Sequence, residues 1–342
     1  MPCYVGLDAS KRTTSICVMD QGGVIVKEGA VATEPKAIVG FLRGDGYRYA
    51  RVGMEVWSVA PWLYAGLSRA GLPIICIEAW HAGRVLGAAR KNKTDKNDAR
   101  GIAEIMRAGI YKAVTIKTVT SQRIKALLTV RKMLKTKATD MENAIGSALL
   151  TFGLKLNHGA ATTFDRRVRA LVGSNAFLSG LIEPVLLVRR HTLEAMAKFE
   201  ERLHQLANED PVCRRLMTAP GVGYLVALTY RAAVDEPGRF HASRDVAAHL
   251  GLTPRMHESG ETRRQGGITR SGDAAARSAL YIAALYQLRS HGKPSWLRTW
   301  GQQVAARRGR KKAAVAIARR LAVTLHRMWT TQSNFRWSED AA

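Results

Sequence analysis

The sequence lacks the marks of a secreted, membrane-spanning or zinc-binding protein. Its four cysteines are scattered, and none stands in a Cys-x-x-Cys pair or close to a histidine that would complete a zinc cluster: Cys3, Cys17, Cys76 and Cys213. No apolar run approaches the ~18 residues that cross a bilayer, and no signal peptide is visible. These absences predict a cytoplasmic protein whose cysteines are reduced thiols in the core.

Acidic side chains are scarce as well. The chain of 342 residues carries 27 Asp and Glu against 53 Lys and Arg, a formal net charge of +26, and this excess predicts nucleic acid as a polyanionic partner. Residues 1–112 carry 16 basic and 10 acidic side chains, a net of +6, whereas the remainder carries 37 against 17, a net of +20. The chain is longer than a domain with a single hydrophobic core usually is, so we expect two or three domains. The first is predicted to be catalytic and the later ones to bind the nucleic acid.

Strand and helix patterns alternate through the first 115 residues. Apolar strands are predicted at 3–7, 15–19 and 24–27, and the turn at 20–23 makes these three an antiparallel meander. A helix containing Ile38 comes next, and the later elements follow in order: strand 51–54, helix 60–70, strand 73–77 and a helix that begins at Thr94. Three antiparallel strands followed by alternating helix and strand give an α/β order that matches the ribonuclease H fold.

Four carboxylates fall at positions that such a fold brings to one end of the sheet. Asp8 and Glu55 end the first and fourth strands, at the edge where open α/β sheets bind ligands. Asp95 and Asp98 are three apart in the first turn of the helix that Thr94 caps, so they share one face. Four such acids repel one another unless divalent cations hold them, and two Mg²⁺ or Mn²⁺ ions bridging a scissile phosphate would stabilise the attacking and leaving oxygens.

Two alternatives to this metal site stay open. Each acid alone is commonly a strand-end turn residue, a surface acid or a solvated residue of a helix N-terminus. Residues 6–11 could also form the phosphate-binding hairpin of the actin and sugar-kinase superfamily, although Ala9 and Ser10 stand where that hairpin needs a glycine. The metal site accounts for the four acids together and is the leading hypothesis.

Residues 116–210 are predicted to be mainly helical. Apolar residues spaced alternately by four and three from Leu134 to Phe152 form a coiled-coil seam, and a similar pattern from Thr192 to Leu206 predicts a returning helix. The pair could be a protruding hairpin used for dimerisation or two ordinary amphipathic core helices. Heptads this short do not decide between these two hypotheses.

Glycine-rich and basic segments follow in residues 211–342. The Pro-Gly-x-Gly turn at 219–223 precedes a predicted helix and resembles the hairpin of helix-hairpin-helix modules. Backbone N–H groups of that hairpin bind a phosphate, so Gly221 and Gly223 are candidate phosphate contacts here. A plain packing turn is the alternative. Residues 251–272 alternate glycines with four arginines and predict a flexible loop that wraps a phosphate backbone: Arg255, Arg263, Arg264 and Arg270.

Further basic side chains extend this predicted nucleic-acid surface. After a helix at 274–288, one helix at 307–320 is predicted to carry a basic run that includes Arg310, Lys311 and Lys312. Lys93, just before the helix of the acids, is another candidate contact. Ser259 alone reads as a turn residue or a phosphate-contacting hydroxyl, because the sequence places no histidine base for it beyond His257, two residues away.

The order of these motifs resembles that of transposases of the insertion sequence one-ten family, which are related to Piv-type DNA invertases. The DEDD signature of that family corresponds to four acids here, with Lys-Thr-Asp-x-x-Asp-Ala around the last two: Asp8, Glu55, Asp95 and Asp98. Residues 219–223 match its Pro-Gly-x-Gly segment, and residues 251–272 match its Gly-Leu-x-Pro and Ser-Gly block. The resemblance covers nearly the whole chain.

The resemblance implies a RuvC-like catalytic domain at 1–115, coiled-coil oligomerisation helices at 116–210 and a mainly helical C-terminal transposase domain at 211–342. It implies a bacterial, nucleoid-associated recombinase that works as a homodimer or homotetramer on donor and target DNA, in some members directed by a bridge RNA. Ser259 would be the nucleophile that forms a phosphoserine link to DNA while the carboxylates hold Mg²⁺.

Two positions depart from the family pattern, and two other functions stay open. Glu261 and Thr262 stand where members commonly have a glycine and then a lysine, and Arg270 replaces a usual lysine, which keeps the charge but not the compact ammonium. A RuvC-like junction nuclease would use metal-activated water and leave Ser259 idle. A non-catalytic nucleic-acid-binding protein would use the acids only structurally.

Overall fold

The computed structural model of the chain describes residues 2–44, 46–78, 94–157, 159–259, 262–289 and 294–338. The chain forms two compact units, Met1–Lys117 and Thr118–Ala342. The finer division into three domains, with boundaries after 115 and 210, stays a prediction. Among the described helices, none has both the length and the apolar character needed to span a membrane.

The first unit is a five-stranded sheet with helices on both faces. Its strands are β1 (Pro2–Ala9), β2 (Thr13–Met19), β3 (Ile25–Ala32), β4 (Arg48–Glu55) and β5 (Ile74–Ile77). Its helices are α1 (Pro35–Arg43), α2 (Ala60–Arg69) and α3 (Asp95–Ala108). The strand order is β3-β2-β1-β4-β5, in which β2 pairs antiparallel with β1 and β3 while β4 pairs parallel with β1 and β5.

The predicted meander and the α/β order after it are confirmed, and β1, β2, β3 and β4 are each longer than expected. The sequence predicts the third strand at 24–27, but β3 runs to Ala32 because β2 pairs with it along its whole length, from Met19 with Ile25 to Thr13 with Ala32. The second half of β3 has no alternation of apolar and polar residues, so the sequence pattern does not predict it as a strand.

Side-chain alternation sorts the sheet into two packed faces. Cys3, Val5 and Leu7 of β1 lie in a core with buried residues of α1 and α2. The intervening position Gly6 faces α3, where a Cβ would lie 2.0 Å from the carbonyl oxygen of Ala99. Because no side chain fits in that space, the glycine sets how closely α3 packs on the sheet.

The second unit is mainly helical. Its helices are α4 (Val119–Thr151), α5 (Phe164–Val172), α6 (Ala176–Glu209), α7 (Pro211–Leu216), α8 (Tyr224–Val234), α9 (Ser243–His249), α10 (Ala274–Gln287), α11 (Trp296–Arg308) and α12 (Arg310–Thr330). A two-stranded antiparallel sheet is formed by β6 (Pro254–Ser259) and β7 (Thr262–Ile268). Short 3-10 turns occupy Ala161–Thr163 and Pro237–Arg239.

The long helices α4 and α6 pack along each other, as the apolar spacing predicted. Arg189 of α6 is 2% exposed and forms ion pairs with Glu142 of α4 and, at 2.7 Å, with Asp165 of α5. Its guanidinium also stacks over the ring of Phe164 at 4.5 Å. A buried cation with two carboxylates fixes the register of the pair. Use of this pair for dimerisation stays a prediction.

The four cysteines are free and buried, as expected for thiols of the core. Burial raises the pKa of Cys17, Cys76 and Cys213 to about 12. These thiols therefore stay protonated and unreactive near neutral pH.

Two predictions for the second unit are wrong. Residues 251–272 contain the β6–β7 hairpin in place of the expected flexible loop, because cross-strand pairing orders a glycine- and arginine-rich segment. The single helix expected at 307–320 is two helices, which separate at Gly309 with a φ of 80°. A residue in that left-handed conformation cannot continue an α-helix.

Gly6→Ala should lower the free energy of unfolding of the first unit by about 2–4 kcal/mol, because the new methyl group overlaps the α3 backbone. Gly40→Ala is the matched control, since a Cβ there meets nothing within 4 Å inside helix α1. It should raise stability by about 0.5–1 kcal/mol. Urea denaturation measures both changes, and similar effects from the two variants would contradict the close packing of α3.

Candidate functional site

Asp8 and Glu55 stand side by side at the carboxyl edge of the first unit's sheet. In the parallel pairing of β1 with β4, Leu7 lies opposite Met54, and the two acids are the next residue on each strand. Neighbouring strands are about 4.8 Å apart, so the acids share a short stretch of this edge. Both side chains are partly buried, and alternation puts both on the face that α3 covers.

Helix α3 brings a third acid to the same edge. Thr94 caps the helix by accepting a hydrogen bond from the N–H of Asn97 at 3.3 Å, as predicted. Asp98 is partly buried and directly precedes Ala99, whose carbonyl packs against Gly6, two residues before Asp8. Asp95 is exposed, one turn earlier. Strands β1 and β4 and helix α3 therefore each place an acid near the same edge of the sheet.

The donor chemistry of this edge fits a hard divalent cation, since carboxylate oxygens are the ligands that Mg²⁺ and Mn²⁺ prefer. Across the described ranges, however, no three His, Cys, Asp or Glu side chains are grouped closely enough to hold a metal ion. The assignment of Asp8, Glu55, Asp95 and Asp98 as metal ligands therefore stays a prediction. Lys93, predicted as a phosphate contact, lies outside the described residues.

A basic pair that the sequence analysis missed anchors the start of α3. Lys96 Nζ lies 3.1 Å from one carboxylate oxygen of Glu28 on β3, and Arg100 donates to both oxygens, one of them at 2.8 Å. The hydrogen bond from Arg100 lowers the pKa of Glu28 to about 2. Lys96 and Arg100 are four apart, a spacing that marks one helix face and could have revealed them. The pair ties the acid-bearing turn to the sheet.

Ser259 lies at the tip of the β6–β7 hairpin. It pairs with Thr262, so only residues 260 and 261 separate the strands, and Ser259 is exposed. Arg255, also exposed, shares its face by alternation. Arg264 pairs with position 257 and is on that face too. The side chain of Arg263 lies outside the described part of the structure. The hairpin therefore presents a hydroxyl together with two cationic side chains.

The base of the hairpin is tightly packed. A Cβ on Gly251 would lie 2.1 Å from the carbonyl oxygen of Ser271, and one on Gly272 would lie 2.0 Å from that of His249. Arg277 of α10 donates to three carbonyls at this crossing, those of Leu250, Ser271 and Gly272. Arg277 was not among the predicted site residues, although it stands one turn into a helix that Asp273 caps. These contacts fix the base from which the hairpin extends.

Arg270, between the hairpin and this crossing, is exposed and has a φ of 58°. A non-glycine residue in the left-handed region is strained by about 1 kcal/mol or more. Its conformation is therefore imposed by the tight crossing beside it. The side chain remains available to a phosphate.

The two glycines of the Pro-Gly-x-Gly turn have different surroundings. Gly221 has a φ of 80°, and a Cβ there would lie 2.7 Å from the carbonyl oxygen of Ala283 in α10. Packing accounts for that glycine, in agreement with the alternative of a plain packing turn. A Cβ on Gly223 would meet nothing within 4 Å. The N-terminus of α8 is therefore open at Gly223, where a phosphate could approach the backbone.

Exposed cations surround the break at Gly309. Arg310, Lys311 and Lys312 form the first turn of α12, and this turn contains no acid. Cations at a helix N-terminus oppose the helix dipole and repel one another. An approaching polyanion would relieve both penalties, so this turn favours a nucleic-acid contact.

Glu28→Gln should destabilise the first unit by about 1–2 kcal/mol near neutral pH. The expected loss is kept this small because Arg100 and Lys96 are 40% and 63% exposed, and solvent weakens the ion pairs of exposed side chains. The pKa of Glu28 falls from 4.5 to about 2 on folding, so its contribution is full above pH 4.5 and is lost as the pH falls toward 2. Denaturation curves at several pH values measure this. Glu78→Gln, which removes an exposed pair with Lys112, is the control and should have little effect. A difference between wild type and Glu28→Gln that is the same at pH 3 and pH 7 would refute the linkage.

Comparison with known proteins gives consistent matches over the chain. A family model described as the transposase IS116/IS110/IS902 family matches residues 213–300, and a DEDD transposase model matches residues 5–153. The chain is 27% identical over 237 residues to the transposase for insertion sequence element IS1328 of Yersinia enterocolitica, covering 68% of this chain and 70% of that protein. It is 28% identical over 138 residues to the pilin gene-inverting protein of Moraxella bovis, covering 39% and 42%.

The resemblance inferred from the motifs, including its link to DNA-inverting proteins, is thereby confirmed. The transposase for insertion sequence element IS1111A of Coxiella burnetii is 30% identical over 345 residues, which cover 97% of this chain and 91% of that protein. The chain therefore belongs to the IS116/IS110/IS902 family of transposases and is an enzyme that cuts and rejoins DNA.

Proposed function

We propose that the chain breaks and rejoins donor and target DNA through a phosphoserine intermediate, with Ser259 as the nucleophile. The observation that carries this proposal is the exposed position of Ser259 at the tip of a hairpin whose base Arg277 and two close-packed glycines fix. A nucleophile needs an accessible oxygen held in a defined orientation, and a fixed hairpin provides both.

The chemistry suits strand exchange. The Ser259 oxygen attacks phosphorus, a DNA oxygen leaves, and the energy of the broken phosphodiester is kept in the serine–phosphate bond. A second DNA hydroxyl can then attack that bond and release the serine, so rejoining needs no external energy source. Arg255 and Arg264 share the Ser259 face and would stabilise the negative charge that develops on the phosphate oxygens.

We further propose that Asp8, Glu55, Asp95 and Asp98 hold Mg²⁺ or Mn²⁺. Such an ion would stabilise charge on a bound phosphate and favour an ionised attacking oxygen. The placement of Asp8, Glu55 and Asp98 on three elements at one sheet edge supports this role, as does the DEDD type of the matching transposase model. Lys96 and Arg100 would keep α3, and hence Asp98, in position at that edge.

A RuvC-like ribonuclease H fold is proposed for the first unit. Its support is the strand order β3-β2-β1-β4-β5, with β2 antiparallel and β1, β4 and β5 parallel. Within this proposal, residues 1–115 form the catalytic domain, residues 116–210 oligomerisation helices and residues 211–342 the transposase domain. The active assembly is then a homodimer or a homotetramer.

Donor and target recognition by a bridge RNA is the last part of the proposal. Residues 113–342 carry 37 basic against 17 acidic side chains, a net of +20. The exposed cations at Gly309 and the open backbone at Gly223 support phosphate contacts distributed over the second unit. Phosphate contacts at several separate positions suit a protein that binds both a DNA and an RNA.

A junction nuclease is the alternative function, because the four acids all belong to the first unit and water could replace the serine. Incubation of the full-length protein with DNA and Mg²⁺, followed by denaturing electrophoresis, separates the two functions. We expect a covalent protein–DNA adduct that Ser259→Ala abolishes and the matched variant Ser271→Ala retains. Cleavage without an adduct would favour the nuclease, and an adduct that survives Ser259→Ala would refute the assigned nucleophile.

The metal site has a readout that is independent of activity. Mn²⁺ at about ten times its dissociation constant should stabilise the wild-type first unit by about 1.4 kcal/mol, seen as a higher melting temperature. Asp98→Asn should lose this shift, whereas Glu104→Gln should keep it, because Glu104 lies on the same helix but pairs with Arg107. An equal metal-dependent shift in Asp98→Asn and wild type would exclude Asp98 as a ligand.

A further inference from the structure

A cavity of about 480 Å³ opens in the second unit beside the Pro-Gly-x-Gly turn. Its lining comes from the turn at 217–223, from the end of α10, from the start of α11 and from Trp337 near the end of the described chain. Its volume is within the range of about 300–1,000 Å³ that small-ligand sites occupy. Neither the strand exchange at Ser259 nor the metal site at the acidic edge uses it.

Two aromatic side chains line this cavity. Tyr286 belongs to the last turn of α10 and is 47% exposed, so much of its side chain is accessible beside the cavity. Trp337 is partly buried, and its ring forms a T-shaped pair with that of Phe335, with the ring centres 5.4 Å apart. Flat aromatic faces in a partly open cavity suit the stacking of another flat ring.

The Trp337 wall is fixed in place without a ligand. The carbonyl of Trp337 accepts a hydrogen bond from the N–H of Trp296 at 3.2 Å. Phe335 is 5% exposed, and its N–H donates to the hydroxyl of Thr218 at 2.9 Å. The segment that carries Trp337 is therefore bonded both to α11 and to the turn before Pro220, which reduces the entropy that a ligand would otherwise lose in ordering it.

Polar groups also line the cavity. Gln287 is 3% exposed, and its amide nitrogen donates to the carbonyl of Pro220, so it holds the turn against α10. Arg298, in the first turn of α11, is partly buried and adds a guanidinium to the lining. Gly223 also lines the cavity, and a Cβ there would meet nothing within 4 Å. A cation and an open backbone position therefore belong to the same lining as the two aromatic side chains.

We propose that this cavity binds one unpaired nucleotide of a DNA or RNA strand, with the base stacked on Tyr286 and Trp337 and its phosphate next to Arg298. A paired base is already stacked within its helix and cannot enter such a site, so the cavity selects flipped or looped-out positions. This inference rests on the proposed nucleic-acid-binding role of the second unit. It adds a site that distinguishes unpaired from paired nucleotides.

The test uses full-length protein and duplexes with one central 2-aminopurine, either paired with thymine or left unpaired as a bulge. Binding is measured by anisotropy and base stacking by 2-aminopurine fluorescence. Stacking contributes a factor of about 5–100 per base, so the bulged duplex should bind tighter by a factor in that range and its fluorescence should be quenched. The same bulge made of RNA shows which strand type the cavity prefers, and a preference for either one supports the inference.

Tyr286→Leu and Trp337→Leu keep an apolar wall but remove the π faces, so they should reduce the preference for the bulge toward one while paired-duplex binding is retained. Trp62→Leu is the matched control, because Trp62 is 52% exposed in the first unit and should leave the preference unchanged. A wild-type protein that binds both duplexes equally would overturn this inference and leave the proposed function intact. Loss of all nucleic-acid binding by wild type would overturn both, and a bulge preference that survives Tyr286→Leu and Trp337→Leu would place the selectivity elsewhere.

Discussion

The close approach of helix α3 to strand β1 is the constraint on which the acidic edge depends. The backbone at Ala99 and Ala103 occupies the space that a Cβ at Gly6 would need, at 2.0 and 2.4 Å. Because Asp98 directly precedes Ala99 and Asp8 lies two residues beyond Gly6, this single contact determines how near the two carboxylates can come. A larger residue at position 6 would move a helix and the geometry of a candidate metal site together.

Electrostatics and packing have complementary roles at this edge. Carboxylates that are brought to one edge repel one another unless another group compensates their charge. The ion pairs of Glu28 with Lys96 and Arg100 act on the same helical turn from its other side and hold it on the sheet. This network stabilises the position of the turn that carries Asp95 and Asp98.

Sequence patterns predicted the elements that carry strong local signals and missed those formed by long-range pairing. Apolar runs gave the strands around Val5 and Val52, and the Thr94 cap gave the start of α3. The second half of β3 has no apolar alternation and becomes a strand only because β2 pairs with it. The β6–β7 hairpin has the composition of a loop and lacks a distinctive local pattern. Gly309 does have one, because a glycine that follows Arg307 and Arg308 is a helix-ending signal, which the prediction of one continuous helix overlooked.

The candidate site residues also separate into those with a local sequence signal and those brought together only by folding. A cap or a strand end is encoded within a few residues, and so Asp8, Glu55, Asp95 and Asp98 stand out in the sequence alone. The cavity beside Gly221 depends on a turn, on side chains from two separate helices and on the segment that carries Trp337, and its walls become adjacent only after the chain has folded. Exposed aromatic residues such as Tyr286 carry no periodic signal that separates a binding face from chance exposure. What distinguishes Tyr286 is the fixed, cation-flanked space next to it, which is a property of the folded unit alone.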